Sequence, residues 1–469
     1  MRNYLLLFFL LVSSLHLQRA AAQSVNPKLD SVLQHTLDSM RVLWNCKSLS
    51  AAIQLPNDAV WSGASGISSE VPAVDAAPDF VYGIGSVTKT VTAACVLQLA
   101  DDGALNLDDS LHQWLDTFLF INPNITIRQL LRHESGIYDV VTSPTFQPQM
   151  GANPQVIWRL EDVIRVFIRA PLFQPGARWS YSNTNYLLLG LIIEAATGKP
   201  YHQVFRERFI DRLGLSSFAM APFETVSPQI AHLWFDLTGD GVLDDAHQAF
   251  FGWDSFDSAT GPAGSYYATP ADLTKWMRAF ASGAFHSAAM MDEAKTTVAT
   301  AFPAGTRYGL GLMERKFLSL TAYGHGGDSG YAASSFYFPE KDISISVATN
   351  DSRRNSWALA SIITALLRSY LDCEALISAA ENQSEMVFNP VVFPNPFSDE
   401  INIMTENPAL KKLEKVILYN ATGQQVSVLN QIESVNFWKA EGLKNLPTGF
   451  YLLVGWEGGR RIFTSRVVK

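Results

Sequence analysis

Cysteine is scarce: 469 residues hold only Cys46, Cys95 and Cys373. An odd count this small excludes a disulfide framework and allows one internal bridge at most. Cys95 lies in the apolar stretch Val91 to Leu99, where a small thiol reads as a core residue. That leaves Cys46 with Cys373 as the one pairing open. Cysteine and histidine never cluster at metal-site spacing, so no zinc centre, metal or cofactor is expected. Basic residues are outnumbered, 35 against 44 acidic for a net charge of -9, and no basic stripe is available to follow a phosphate backbone. Nucleic acid is therefore not an expected partner. No apolar run reaches the length of about 20 residues that a membrane span needs. The first, Tyr4 to Val12, is followed by Ser13, Ser14, His16, Gln18 and Arg19. The Gly-x-Ser-x-Gly elbow is also missing, and Gly327-Asp-Ser-Gly330 has no His-Asp pair to make it a protease triad.

What is present reads as two folded units behind an export signal. Arg2, the short apolar run and Ala20-Ala21-Ala22 form a secretory signal over residues 1–22, with cleavage expected near Ala22. Residues 23–373 mix amphipathic helices with short β-like runs, an α/β (α+β) pattern. The texture changes across 374–390, a linker ending at Asn389-Pro390. Residues 391–469 alternate short apolar strands with turns such as Thr422-Gly423 and Pro447-Thr448-Gly449, and read as an all-β sandwich. Asp236 to Asp245 spaces oxygen side chains as calcium loops do, but its twelfth position is His247 rather than glutamate. A solvated turn and a calcium loop both stay open there.

Three segments carry chemistry. Ser86-Val87-Thr88-Lys89 follows the β-like run Phe80 to Ile84 and opens an apolar helix, and no other lysine of the chain has serine three residues before it. Three residues on a helix is one turn, so Lys89 shares a face with Ser86. Serine needs a neighbouring base to attack, and lysine serves as one only when desolvated or crowded by charge. Tyr181-Ser182-Asn183 follows the Pro175-Gly176 turn, placing a phenol suited to proton relay on a loop before a helix expected from about Asn185. Asn183 offers a donor and an acceptor, able to hold a lysine and a substrate carbonyl together. Finally, His325-Gly326-Gly327 precedes two β-like runs, where small residues let a substrate lie along a strand.

Taken in order, Ile84-Gly-Ser-Val-Thr-Lys89, Leu105-Asn-Leu-Asp-Asp109, Ile127-Arg-Gln-Leu-Leu-Arg-His-Glu-Ser-Gly136, Tyr181-Ser-Asn183 and Gly324-His-Gly-Gly327 resemble the family of class C β-lactamases, D-alanyl-D-alanine carboxypeptidases and related esterases. The resemblance implies a β-lactamase/transpeptidase-like mixed sheet flanked by helices, beside a largely helical region. It implies Ser86 as nucleophile, Lys89 as its activator and Tyr181 as partner in proton transfer. Asn183, His325 and Gly327 would bind substrate, and the backbone amides of Ser86 and Asp328 would form the oxyanion hole. Gly326 departs from the family pattern, which has threonine or serine there, and histidine at 325 replaces the commoner lysine.

The tail, through Phe393-Pro-Asn-Pro396, Leu418-Tyr-Asn-Ala-Thr-Gly423 and Leu446-Pro-Thr-Gly-Phe-Tyr451, resembles the C-terminal sorting domain of the type IX secretion system. Together these imply an exported serine hydrolase that forms an acyl-enzyme and cleaves ester or D-amino-acid peptide (amide) bonds in a small ester, peptide or cell-wall fragment, with weak β-lactam hydrolysis at most. The type IX machinery would be a partner through residues 391–469. The rival reading is a catalytically silent cell-wall or penicillin-binding module.

Overall fold

In a computed structural model the described residues are 25–381, save 228 and 248–252, and within 391–469 all but 394, 396, 405–412, 433–436 and 458–459. The expected signal, residues 1–22, the later part of the expected linker and two prolines of the Phe393–Pro396 motif lie outside them. The chain divides into two compact units, residues 1–373 and 374–469.

The first unit opens with helix α1 (Pro27–Trp44), which starts at Pro27 behind an Asn26 cap and stops where Asn45 turns left-handed. Strands β1 (Ser48–Gln54), β2 (Val60–Glu70) and β3 (Ala73–Asp75) follow, then the short β4 (Tyr82–Gly83). Helix α2 (Thr88–Asp101) is buried on nearly every side. A helical region runs to α3 (Asn183–Thr197), which begins two residues earlier than expected because Asn183 itself takes the first helical position. Strand β5 (Ala219–Met220), the ladder of β6 (Trp234–Phe235) with β7 (Asp244–Asp245), α4 (Asp254–Thr260), β8 (Tyr266–Ala268) and α5 (Pro270–Ser282) complete the middle. Strands β9 (Val298–Ala299), β10 (Arg307–Tyr308), β11 (Met313–Phe317), β12 (Leu320–Ser329), β13 (Tyr331–Phe338) and β14 (Ile343–Thr349) lead to α6 (Leu359–Glu381).

Nine strands make one sheet in the order β3-β2-β1-β14-β13-β12-β11-β10-β9. Every neighbouring pair in it is antiparallel, so the mixture of the fold lies in its helices and strands, not in strand direction. Strands β13 and β14 are buried at every position, as expected of a sheet covered on both faces. Helix α1 packs on β1 and β2, and α5 on β1, β13 and β14. The helical region has its own core, centred on α2 and α3.

Three stretches that the sequence left open or read otherwise take definite form. All three cysteines are free and buried, so Cys46 and Cys373 form no bridge. Residues 374–381, expected as linker, continue α6, because Ala, Leu and Glu in that stretch are good helix formers. Asp236 turns its carboxylate onto the amides of Gly239, Asp240 and Gly241. The loop is a turn closed on its own backbone, and no cluster of metal-ligating side chains occurs among the described residues. In the second unit, β15 (Val391–Phe393), β16 (Ile401–Met404), β17 (Lys415–Asn420), β18 (Gln425–Ile432), β19 (Phe437–Ala440), β20 (Phe450–Glu457) and β21 (Arg460–Val468) form one antiparallel sheet. This all-β unit is one sheet curled around a core that includes Ile401, Val416, Leu418, Leu453 and Val467.

Candidate active site

Strand β4 ends at Gly83, and the chain passes through a single 3-10 turn, Gly85–Val87, straight into α2. Gly85 has φ +50°, and a Cβ there would meet the amide nitrogen of Asp328 at 2.6 Å. Both facts demand glycine. From the facing side, a Cβ on Gly327 of β12 would stand 2.0 Å from the Ile84 carbonyl oxygen and 2.6 Å from Ser86 N. Turn and strand thus meet backbone to backbone, which brings the amides of Ser86 and Asp328 into one narrow gap. Two amides at such a gap, one of them at a helix start, suit a developing oxyanion.

Ser86 is half-buried and Lys89 wholly buried one turn below it. Lys89 Nζ lies 3.0 Å from Ser86 Oγ, 2.7 Å from Asn183 Oδ1 and 2.7 Å from the carbonyl oxygen of Ala263. Asn183 in turn donates through Nδ2 to Asp139 Oδ2 at 2.9 Å, which fixes its amide with the oxygen toward lysine. Asn183 Oδ1 and Ala263 O can only accept. A neutral amine has two N–H bonds and one lone pair, so with both hydrogens committed the lone pair faces the serine hydroxyl. Burial lowers the lysine well below its ordinary range, while the Asp139 carboxylate pulls it back upward. Burial also raises Asp139 itself, against the hydrogen bonds from Asn183 and the pull of Lys89.

Tyr181 closes the site from the α3 side. Its ring lies over Lys89 Nζ at 5.0 Å and against His133 with centroids 4.2 Å apart. Burial raises the phenol well above 10, and its interaction with Ser86 works the other way. That interaction falls short of hydrogen-bond geometry, and the Oη makes no hydrogen bond among the described residues. A phenol held protonated beside the serine, with its oxygen uncommitted, is placed to give a proton to a departing group.

Two histidines brace this arrangement. His133 Nδ1 accepts from Ser182 N and from Asn185 Nδ2, each at 3.2 Å, so its proton resides on Nε2, 3.3 Å from Tyr308 Oη. Tyr308 Oη then donates to His325 Nε2 at 2.9 Å, and His325 Nδ1 donates to the Gly326 carbonyl. Each link has one donor and one acceptor only when both rings are neutral. Burial and the nearby Lys89 lower His325 to about 3, and the same two causes hold His133 well below 6.5.

The structure thus brings Ser86, Lys89, Tyr181, Asn183, Gly327 and Asp328 together and revises three expectations. His325 is 0% exposed with both nitrogens engaged by Tyr308 and the Gly326 carbonyl, so neither is free for the substrate contact expected of it. The Asn183 amide nitrogen expected for a substrate carbonyl is held by Asp139. The face of Gly326 expected to lack a hydroxyl carries one from elsewhere, since a Cβ at 326 would meet Ser356 Oγ at 2.8 Å. Ser356 donates that hydroxyl and its backbone N–H to the Asp328 carboxylate, at 2.8 and 2.7 Å. Sequence reasoning passed over Asp139, Ala263, His133 and Tyr308. Only His133 and Asp139 left a signal, lying in or just after Ile127 to Gly136.

An open depression of about 860 Å³ lined by Asp38, Arg41, Lys47 and Arg353 contains none of these residues. No helix among the described residues is long and apolar enough to cross a membrane.

Comparison with known proteins bears on the family and the fold. A penicillin-binding protein 4 of Amycolatopsis lactamdurans is 29% identical over 252 residues, 52% of this chain and 62% of that protein. Protein flp of Staphylococcus aureus strain MW2 is 37% identical over 145 residues, 30% of this chain and 28% of that protein. The chain therefore spans less than two thirds of either relative. Among solved structures, a D-stereospecific amidohydrolase from Streptomyces sp. superposes with TM-score 0.60 at 28% identity, over 69% of this chain and 94% of that one. The D-amino acid amidase of Ochrobactrum anthropi SV3 shares the fold, with TM-score 0.65 at 24% identity over 74% and 99%. Residues 391–469 match the secretion system C-terminal sorting domain, which marks the chain for export to the cell surface or beyond. Residues 40–366 match the family described as Beta-lactamase, and the chain belongs to that family, with its serine hydrolase fold.

Proposed function

We propose that the protein is an exported serine hydrolase that forms an acyl-enzyme on Ser86 and cleaves esters or amides of D-amino acids, with β-lactams poor substrates. The coordination of Lys89 carries this reading. In its neutral form its two N–H bonds go to Asn183 and Ala263, which leaves its lone pair for Ser86. In the first half-reaction Ser86 Oγ bonds to the acyl carbon as its proton passes to Lys89, and the oxyanion is met by the amides of Ser86 and Asp328. The bond to the leaving group breaks as Tyr181 protonates it, and Lys89 returns a proton to Tyr181. In the second, water bonds to the acyl carbon, the ester bond to Ser86 breaks, and one proton of that water passes by way of Lys89 to the departing Ser86 Oγ.

The choice of D-amino-acid derivatives draws on the Streptomyces relative, a D-stereospecific amidohydrolase. The preference against β-lactams draws on His325, which stays neutral and buried where a lysine would offer a charge to the substrate carboxylate. A fluorophosphonate probe should label wild type and leave Ser86→Ala unlabelled. Ser86→Ala, Lys89→Ala and Tyr181→Phe should each reduce turnover of p-nitrophenyl butyrate by on the order of a thousandfold or more, without adding. Near-wild-type turnover by Ser86→Ala would refute the proposal.

A further inference from the structure

Next to the nucleophile's turn lies a second feature that the reaction above does not use. It is a cavity of about 400 Å³ walled by Leu233, Phe235, Trp253, Phe256, Tyr267 and Tyr331, with Ser329 and Gly330 at the end of β12 and Asp257 of α4 also lining it. The cavity has the size of a small-molecule site and a mostly aromatic wall. In that wall sits one carboxylate. Asp257 is 8% exposed, makes no ion pair among the described residues, and accepts only a long hydrogen bond, 3.4 Å, from Tyr267 Oη. Burial raises it to about 7 against the lowering effect of that bond, and Asp254 one turn earlier raises it further. Tyr267 and Tyr331, the other ionisable groups lining it, are both raised far above their ordinary range by burial and stay neutral. A second polar group there also lacks a partner, since among the described residues Ser329 Oγ is buried without a hydrogen bond. An acid left uncompensated in an aromatic cavity costs stability unless a ligand supplies the missing charge.

The cavity shares its walls with the catalytic turn. Tyr267 pairs with Gly83, three residues before Ser86, and a Cβ on Gly83 would meet Ser329 Oγ at 2.8 Å. Helix α4, which carries Asp257, continues into the turn whose Ala263 carbonyl holds Lys89. Its position along β12 decides which half of a substrate it receives. Tyr181, the proton donor to the leaving group, stands at the His325 end of this strand, with ring centroids 6.3 Å apart. The cavity stands at the other end, past Asp328, and so faces the acyl half.

Resting on the hydrolase reading above, we infer that this cavity is an acyl-group pocket selecting acyl donors that combine an apolar, aromatic-sized side chain with a primary ammonium, which pairs with Asp257. The substrates of this class are esters and amides of apolar amino acids with a free amino group, as opposed to N-acylated ones. An acetylated nitrogen carries no charge and brings a bulky group toward the carboxylate, so it loses the ion pair and leaves Asp257 buried alone.

The test compares three p-nitroanilides with the full-length protein: D-phenylalanyl, N-acetyl-D-phenylalanyl and 3-phenylpropionyl, which lacks the amine. Wild type is expected to favour the free amine over both others by roughly tenfold or more in kcat/KM. In Asp257→Asn the three rates should come within about threefold of one another, the difference lying in KM. Tyr267→Phe, which removes the competing hydrogen bond and keeps the wall, should preserve the preference and covers the case in which Asp257→Asn does not fold. Equal rates on all three in wild type, or a preference that survives in a folded Asp257→Asn, overturns the inference. Fluorophosphonate labelling in parallel separates the two claims. A labelled enzyme without amine preference refutes the pocket alone, whereas an unlabelled one refutes the hydrolase reading and the pocket with it.

Discussion

Replacing Asp139 by asparagine should move the pH profile of the enzyme without touching any group that meets the substrate. Asp139 reaches Lys89 through one amide, by contacts of 2.7 and 2.9 Å on either side of Asn183. The two charges are therefore no more than roughly 8 Å apart, and with an effective dielectric of about 20 their attraction is about 2 kcal/mol. Activity requires neutral Lys89, so kcat/KM rises with pH as the lysine loses its proton. The carboxylate stabilises the ammonium form. Removing it favours the free amine at lower pH, and the acid limb should move toward acid by about 1.5 pH units. Other ionisable groups around the amine do not confuse the reading. His325 and His133 are held neutral by burial and by Lys89 itself, and Tyr181 and Tyr186 are raised by burial. Asparagine has one oxygen where Asp139 uses two, for Asn183 and for Val141 N, so one hydrogen bond is lost at a cost of about 1 to 3 kcal/mol in stability. A stopped assay on p-nitrophenyl butyrate from acid to neutral pH, with protein shown folded by circular dichroism at each point, reads the limb independently of its height. A limb that stays in place, or moves to alkaline pH, would mean that Lys89 is not the titrating base.

Gly327→Ala should cost both activity and stability, because its Cβ would stand 2.0 Å from the Ile84 carbonyl oxygen and neither backbone can yield cheaply. Unchanged kcat/KM and melting temperature would show that strand and turn are not in the contact described. Nitrocefin should be hydrolysed with a lower specificity constant than p-nitrophenyl butyrate, the loss of carboxylate anchoring being about 1 to 3 kcal/mol, and the reverse order would refute the role assigned to neutral His325. A chain truncated near Ser384 should keep its full specific activity, since every candidate catalytic residue precedes that point; loss of activity in a folded truncation would give the tail a part in the site.

How far the sequence revealed this site depends on the kind of contact. Ser86 and Lys89 were legible because helical periodicity alone puts them on one face, and Gly327 only as a small strand residue beside which a substrate could lie, whereas the structure sets it against the backbone of Ile84 and Ser86. Tyr181 and Asn183 were legible only as a motif, since nothing local brings α3 to α2. The Ala263 carbonyl is a backbone atom 174 residues from the lysine it holds, and backbone acceptors leave no mark in residue type. His325 illustrates a different limit. Its position in the motif was legible, but its burial depends on Tyr308, which arrives from β10 two strands away in the sheet. For Gly326 the sequence showed what was missing and could not show that Ser356, from the turn that precedes α6, fills the space. In the overall fold, the strand-like runs and the change of texture before residue 391 were readable from alternation, whereas the antiparallel sense of every ladder in the large sheet emerges only from pairing across the chain.

The three solitary thiols give this protein a built-in clock for its own opening. Cys95 sits midway along α2, the helix that carries Lys89, is 0% exposed, and is raised by burial to about 12, so it presents almost no thiolate while α2 stays packed. Alkylation at Cys95 can proceed only as fast as that helix is laid bare. Cys46, just after α1, and Cys373, within α6, report on two other parts of the same unit. Peptide mapping after a timed exposure to iodoacetamide would thus resolve the order in which the catalytic helix and its surroundings loosen.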